Sequence, residues 1–251
     1  EETTTTYTYD SVNRMICIQD GLGNAINYAY DSLNHLLKIT DPKGDTGRYK
    51  YDYQGRKTKD IFDLRDSSDT ITNTINIIYT YDKNDNLTGE QDDNNNFTTY
   101  QYDAKDRLVK RVNADNTFIS YEYDRDDRLI KVVDENETTV TYTYDANDNL
   151  TQIDIQKAPG VEGITQERYQ YDGLDRRIRY EDSSGTIQEY KYDSLNRLRK
   201  EIENSEQISS SYDLAGRRTT ITYPGGTSIS LLRTTNGPID EVRVGGSQLV
   251  D

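Results

Sequence analysis

The chain has 251 residues, 32% hydrophobic and 30% charged, with 22 Tyr against 3 Phe and no Trp. Its net charge of -15 repels phosphate backbones and anionic bilayers, so neither nucleic acid nor membrane insertion is expected of it. One Cys and one His exclude an internal disulfide, a His-based triad and a multi-His or multi-Cys zinc site within the chain.

So polar a composition leaves little apolar surface to offset ordering entropy. Tyrosine makes up the deficit: it covers a large area, keeps a hydrogen-bonding hydroxyl and suits a half-buried strand. No apolar run approaches the roughly 20 residues of a bilayer span.

In chain order, Glu2 to Thr6 read as the return strand of a preceding unit. The pattern Tyr-x-Tyr-Asp then begins with Tyr7, Tyr9 and Asp10. It recurs as Tyr28, Tyr30 and Asp31; Tyr49, Tyr51 and Asp52; and Tyr79, Tyr81 and Asp82. Next come Tyr100, Tyr102 and Asp103; Tyr121, Tyr123 and Asp124; and Tyr142, Tyr144 and Asp145. Tyr169, Tyr171 and Asp172 follow, then Tyr190, Tyr192 and Asp193. In the tenth copy Ser210 stands for the first Tyr ahead of Tyr212 and Asp213, and a decayed eleventh has Leu231 and Arg233. The second tyrosines are spaced 21, 21, 30, 21, 21, 21, 27, 21 and 20 residues apart. The period is therefore 21, with an insertion near residues 61–75 and another near 156–164.

With the first Tyr as position one, each unit reads as two strands and two turns. Positions four to seven are turn chemistry, such as Asp31-Ser32-Leu33-Asn34 or Asp52-Tyr53-Gln54-Gly55. A strand runs to about position thirteen, and a second turn follows, as in Asp41-Pro42-Lys43-Gly44. The return strand alternates, as in Ile26, Tyr28 and Tyr30. Each repeat is one β-hairpin, and the expected fold is all-β: tandem hairpins forming a continuous curved, antiparallel sheet. Residues 1–251 form a single array of about eleven repeats.

Several features invite chemistry. Asp82-Lys83-Asn84-Asp85-Asn86 and Asp145 to Asn149 match the opening of a calcium loop, although Leu87 and Leu150 replace its glycine. Turn structure is the favoured reading, with calcium at these Asp-rich turns the alternative and no other cofactor expected. Asp and Arg columns such as Asp103 with Arg107 are read as a ladder of turn contacts rather than paired catalytic carboxylates. The chain is not expected to be an enzyme. The tyrosines serve cross-strand cohesion, with stacking on sugar rings as the other use. Asn86, Asn96, Asn136 and Asn149 lie in Asn-x-Thr sequons. The two insertions are expected as loops on one face, the best place for a specific contact.

The run Tyr190-Lys191-Tyr192-Asp193-Ser194-Leu195-Asn196-Arg197-Leu198, like Tyr100 through Leu108, resembles the YD-repeat, or Rhs, family. That family includes bacterial Rhs and wall-associated toxins, shell subunits of toxin complexes, and teneurins. The resemblance implies hairpins paired side by side into a sheet that spirals into a hollow shell, enclosing a C-terminal toxic domain in the bacterial toxins. No self-cleaving aspartate pair is recognisable after Gly245, so both ends read as cut from a longer array. The expected role is a scaffold, shell or stalk segment of a secreted or cell-surface bacterial protein that encloses or displays an effector. Its partners would be further YD repeats and the enclosed domain. A surface module recognising glycan or protein is the second reading, and a self-assembling filament subunit the third.

Overall fold

A computed structural model describes residues 4–233, 237–245 and 247–248. The start of the Glu2–Thr6 stretch and the turn of the eleventh copy lie outside the described residues. The chain divides into two compact units, residues 1–121 and 122–251.

The first unit holds β1 (Thr6–Tyr9), β2 (Met15–Gln19), β3 (Ala25–Tyr30), β4 (Leu36–Thr40), β5 (Thr46–Tyr51) and β6 (Lys57–Arg65). It continues with β7 (Ile71–Tyr81), β8 (Leu87–Gln91), β9 (Phe97–Tyr102), β10 (Leu108–Val112) and most of β11 (Phe118–Tyr123). The second unit holds β12 (Leu129–Val133), β13 (Thr139–Tyr144), β14 (Leu150–Gln156), β15 (Gln166–Tyr171), β16 (Arg177–Asp182) and β17 (Ile187–Tyr192). After these come β18 (Leu198–Glu203), β19 (Glu206–Tyr212), β20 (Arg218–Thr222), β21 (Ser228–Arg233), β22 (Ile239–Val244) and β23 (Ser247–Gln248). Within each unit, strands pair antiparallel with their neighbours in sequence, as β1 with β2, β2 with β3 and β17 with β18. The fold is all-β, built of tandem hairpins.

Both turns of a repeat use the same chemistry. In the first, the Asn13 N–H donates to the Asp10 carbonyl at 3.1 Å, and the Asp10 N–H to the Arg14 carbonyl at 2.9 Å. Asn13 closes that turn at φ 68°, and Gly23 closes the next at φ 90°. This left-handed conformation is one that Gly, Asn and Asp enter at least cost. The turn is a type I turn followed by a left-handed residue, a common hairpin connection.

Beyond the first turn the ladder slips. Tyr9 pairs with Met15 but Thr8 with Cys17, so Ile16 has no partner. Leu37 and Thr58 are skipped likewise. The bulge changes which residues share a face: position twelve, as Ile39 opposite Tyr28, joins the tyrosines.

The first insertion is not the loop expected from the sequence. Residues Ile61 to Ile75 lengthen one hairpin, β6 reaching 9 residues and β7 11, around a turn at Asp66–Asp69. The β-branched and aromatic run on both sides of that turn favours strand over loop, and Asp63 ties the flanks together. Its carboxylate accepts from Thr74 at 2.8 Å and Thr46 at 3.2 Å, and pairs with Arg48 at 2.7 Å. The second insertion is a loop, closed by the Ile155 N–H on the Thr165 carbonyl at 2.8 Å.

A conventional core is missing among the described residues, where Ile61 at 6% exposure is the only buried hydrophobic side chain. Cohesion rests instead on the backbone ladder and the half-buried tyrosine face.

Candidate functional site: a clamp between successive repeats

The signature residues converge on the joint between one repeat and the next. Asp10 organises its own turn: Oδ1 accepts the N–H groups of Val12 at 3.0 Å and Arg14 at 2.9 Å, and Oδ2 accepts Arg14 Nε at 2.7 Å. Arg14 then reaches forward, donating through Nη1 to the Asp31 carbonyl at 2.7 Å and to Asn34 Oδ1 at 2.9 Å. Its guanidinium lies over the ring of Tyr30, 5.0 Å from the centroid, a cation–π distance. The Tyr30 hydroxyl completes the joint by donating to the Met15 carbonyl at 3.0 Å.

The arrangement recurs along the chain. Second tyrosines donate to the carbonyl just beyond the preceding turn: Tyr51 to Leu36, Tyr102 to Leu87, Tyr144 to Leu129, Tyr192 to Arg177 and Tyr212 to Leu198, at 2.7–3.0 Å. Arg56, Arg128, Arg176 and Arg197 cover Tyr81, Tyr144, Tyr192 and Tyr212 at 4.8–5.0 Å. His35, in the arginine column, bonds Asp31 at 2.8 Å and stacks on Tyr51 at 4.7 Å. The arginine side chains hold the Asp103 and Asp172 carboxyls below the usual carboxylate range, against the opposing effect of desolvation.

The two calcium-like motifs serve the same joint by another route. Asn84 and Asn86 both donate their amides to Asp106 Oδ1 of the next turn, at 2.9 and 2.7 Å. Asn147 and Asn149 do so to Asp175 Oδ1 at 3.0 and 2.8 Å. Sequence reasoning read the Asp–Arg column within one turn and missed this reach into the next. The only available signal was the alternation of Arg with Asn at position eight.

First tyrosines sit opposite position twelve, whose identity varies. Tyr28 faces Ile39, Tyr49 faces Asp60, Tyr79 faces Glu90, Tyr100 faces Arg111, Tyr142 faces Ile153 and Tyr190 faces Glu201. Tyr79 donates to Asp60 Oδ2 at 2.9 Å, which Lys57 Nζ also approaches at 2.8 Å. Burial, then the bond to Asp60, pushes the Tyr79 phenol well up. Tyr169 donates to Glu167 and tilts against Tyr180 at 5.4 Å. Tyr121 is half-buried in the same column, and Tyr123 and Asp124 continue the signature into the second unit, where Asp124 Oδ2 takes Arg128 Nε at 2.7 Å. Tyr7 and Tyr9, on the first strand, are 56% and 53% exposed.

Fold and joint together define a hairpin-repeat scaffold protein. The chain matches the RHS Repeat family over residues 30–61, 79–117, 123–154 and 192–228, more than half of its length, and belongs to that family. A search of curated protein sequences finds no match. Among solved structures, TcdB2-TccC3 without hypervariable C-terminal region is similar over 96% of this chain, with TM-score 0.61 and 13% identity. TcdB2-TccC3-TEV is similar over the same share, with TM-score 0.59 and 13% identity. This chain spans 16% of the length of each of those chains, and the likeness is one of fold.

Proposed function

We propose that this chain is a non-catalytic wall segment of a larger bacterial protein, secreted or displayed at the cell surface, that encloses or presents an effector domain. The observation that carries this reading is the clamp. The signature residues are spent on holding each repeat to the next, which is the work of a wall. The fold similarity to TcdB2-TccC3, of which this chain spans a small part, lends support. Half-buried tyrosines whose hydroxyls are already bonded within the sheet favour this role over the stacking of sugars on tyrosine rings.

The test is the mass and end sequences of the intact native polypeptide, followed by limited proteolysis. A much longer chain, with more repeats and an unrelated domain that proteases reach only after the repeats are unfolded, is the expected result. A native chain ending near residue 251, or an effector cut as fast as it is in isolation, would overturn it.

A further inference from the structure

The face of the first unit opposite the tyrosines carries a charge pattern that the clamp does not use. Residues directly paired in a ladder project to one face. Lys38 on β4 pairs with Arg48 on β5, and Lys50 on β5 pairs with Lys59 on β6. Arg48 and Lys50 lie two apart on one strand, so all four cations share that face. Like charges set directly opposite destabilise a ladder, and the chain has 45 acidic residues against 30 basic ones. Among the described residues, two acids reach this face. Asp63, 4% exposed, is engaged by Arg48, Thr46 and Thr74, and Asp93 Oδ1 takes the Asn76 amide at 3.2 Å. Among the described residues, Lys38, Lys50 and Lys59 make no ion pair.

The second unit provides an internal comparison, because Lys131, Arg168 and Arg179 in the same columns are neutralised while the Lys191–Lys200 opposition is not. Lys131 meets Glu122 at 2.8 Å, Arg168 meets Glu181 at 3.5 Å, and Arg179 meets Glu181 at 3.1 Å and Glu189 at 2.8 Å. There too Lys191 faces Lys200 directly, but with Glu189 two residues before it on its own face. The face accepts acids, as at Arg48 with Asp63, yet none is set against Lys38, Lys50 or Lys59 among the described residues.

We infer that the β4–β6 face is a docking surface for an acidic polypeptide segment with Asp or Glu at alternate positions. The cations stand about 5 Å apart across strands and about 7 Å apart along β5. An extended polypeptide presents alternate side chains at about that same 7 Å, so successive carboxylates can each rest between two cations. Within β4–β6, Tyr49, Tyr51 and Phe62 lie on the other face, so no aromatic ring of these three strands stands among the cations to stack a base or sugar. The inference holds whether or not the array encloses an effector.

Fluorescence anisotropy with a labelled peptide of alternating Glu and Thr tests it on the whole chain. Lys50→Glu turns the Lys50–Lys59 opposition into an ion pair. It should raise the thermal midpoint while weakening peptide binding about tenfold or more, since rim and surface charges govern such docking. Lys191→Glu in the second unit should leave peptide affinity unchanged, and wild-type binding should fade at roughly 0.5 M salt. Equal losses in both variants, or no salt-sensitive binding by the wild type, would overturn the inference. So would tighter binding of an oligothymidylate, or self-association through this face on sedimentation.

Discussion

The Tyr81 hydroxyl donates to the Lys57 carbonyl at 2.8 Å across 24 residues of chain. The equivalent bond spans 15 residues at Tyr30, 21 at Tyr171 and 14 at Tyr212. The tyrosine therefore measures distance in space and is indifferent to what the chain does in between. Tyr81→Phe keeps the ring under Arg56 but leaves the Lys57 carbonyl without its donor. The loss should be about 1 kcal/mol, seen as faster amide exchange in β6 to β8 and a lower denaturation midpoint.

Replacing the arginine should do harm that charge alone does not predict. Arg56 bonds Asp52, the Asp82 carbonyl and Asp85 together while covering Tyr81. A lysine retains the charge and loses the planar fork. Arg56→Lys should lower the thermal midpoint and expose Tyr81 to a fluorescence quencher, whereas Lys83→Gln, on an exposed turn, should change neither.

Stability should fail at both ends of the pH scale. The Ser184 hydroxyl, bonded at 2.5 Å, and the Thr186 and Ser184 N–H groups lower the Asp182 carboxyl to about 2. A carboxyl depressed in the folded state contributes stability above its unfolded value near 3.8, and that contribution is lost as pH falls towards 2. Burial, with Glu167 and Asp182 nearby, raises the Tyr180 phenol to about 12. Its contribution is complete below the unfolded value of 10 and is lost as pH rises towards 12. Denaturation at stepped pH checks both. Tyr180→Phe should reduce the alkaline loss and, because its hydroxyl donates to Asp182 Oδ2 at 3.2 Å, a smaller part of the acid loss. Ser184→Ala should reduce the acid loss alone.

Close approach makes Gly89 a sensitive position. A Cβ there would lie 2.7 Å from Thr80 Oγ1 and 2.9 Å from Phe97 Cζ. Gly89→Ala should cost about 1–3 kcal/mol through overpacking, and Phe97→Leu in the same chain should recover part of that loss in urea denaturation.

Calcium should leave the thermal midpoint unchanged. Asp82 Oδ1 is taken by the Asn84 and Asn86 N–H groups, Oδ2 by the Asn86 amide, and both Asn side chains turn donors towards Asp106. Asp106→Ala should lower the midpoint with or without the ion. A calcium-dependent rise in the wild type would favour the metal reading.

The repeat was legible because its residues are few in kind and fixed in spacing. Tyr-x-Tyr-Asp marks strand end and turn start, and Asn, Asp or Gly three residues after the Asp marks the left-handed turn position. The sequence could not display the skipped residue, such as Ile16 or Thr58, because a bulge leaves no compositional trace. Without it the faces are misassigned, and neither the Asp60–Tyr79 contact nor the Lys50–Lys59 opposition can be seen. The first insertion misled for a related reason. Extra length in a period reads as loop, yet Ile61 to Ile75 extends the ladder on both sides of a new turn.

The clamp also bears on how such a chain can change over generations. Each joint needs a turn opened by Asp and closed by Arg, Asn or His on one side and a Tyr-x-Tyr-Asp strand end on the other, and the intact units carry both halves. Unequal recombination between two copies of the coding sequence, in register with the period, would therefore splice matching halves wherever it fell. Arrays could be lengthened or shortened by whole units without inventing a new contact.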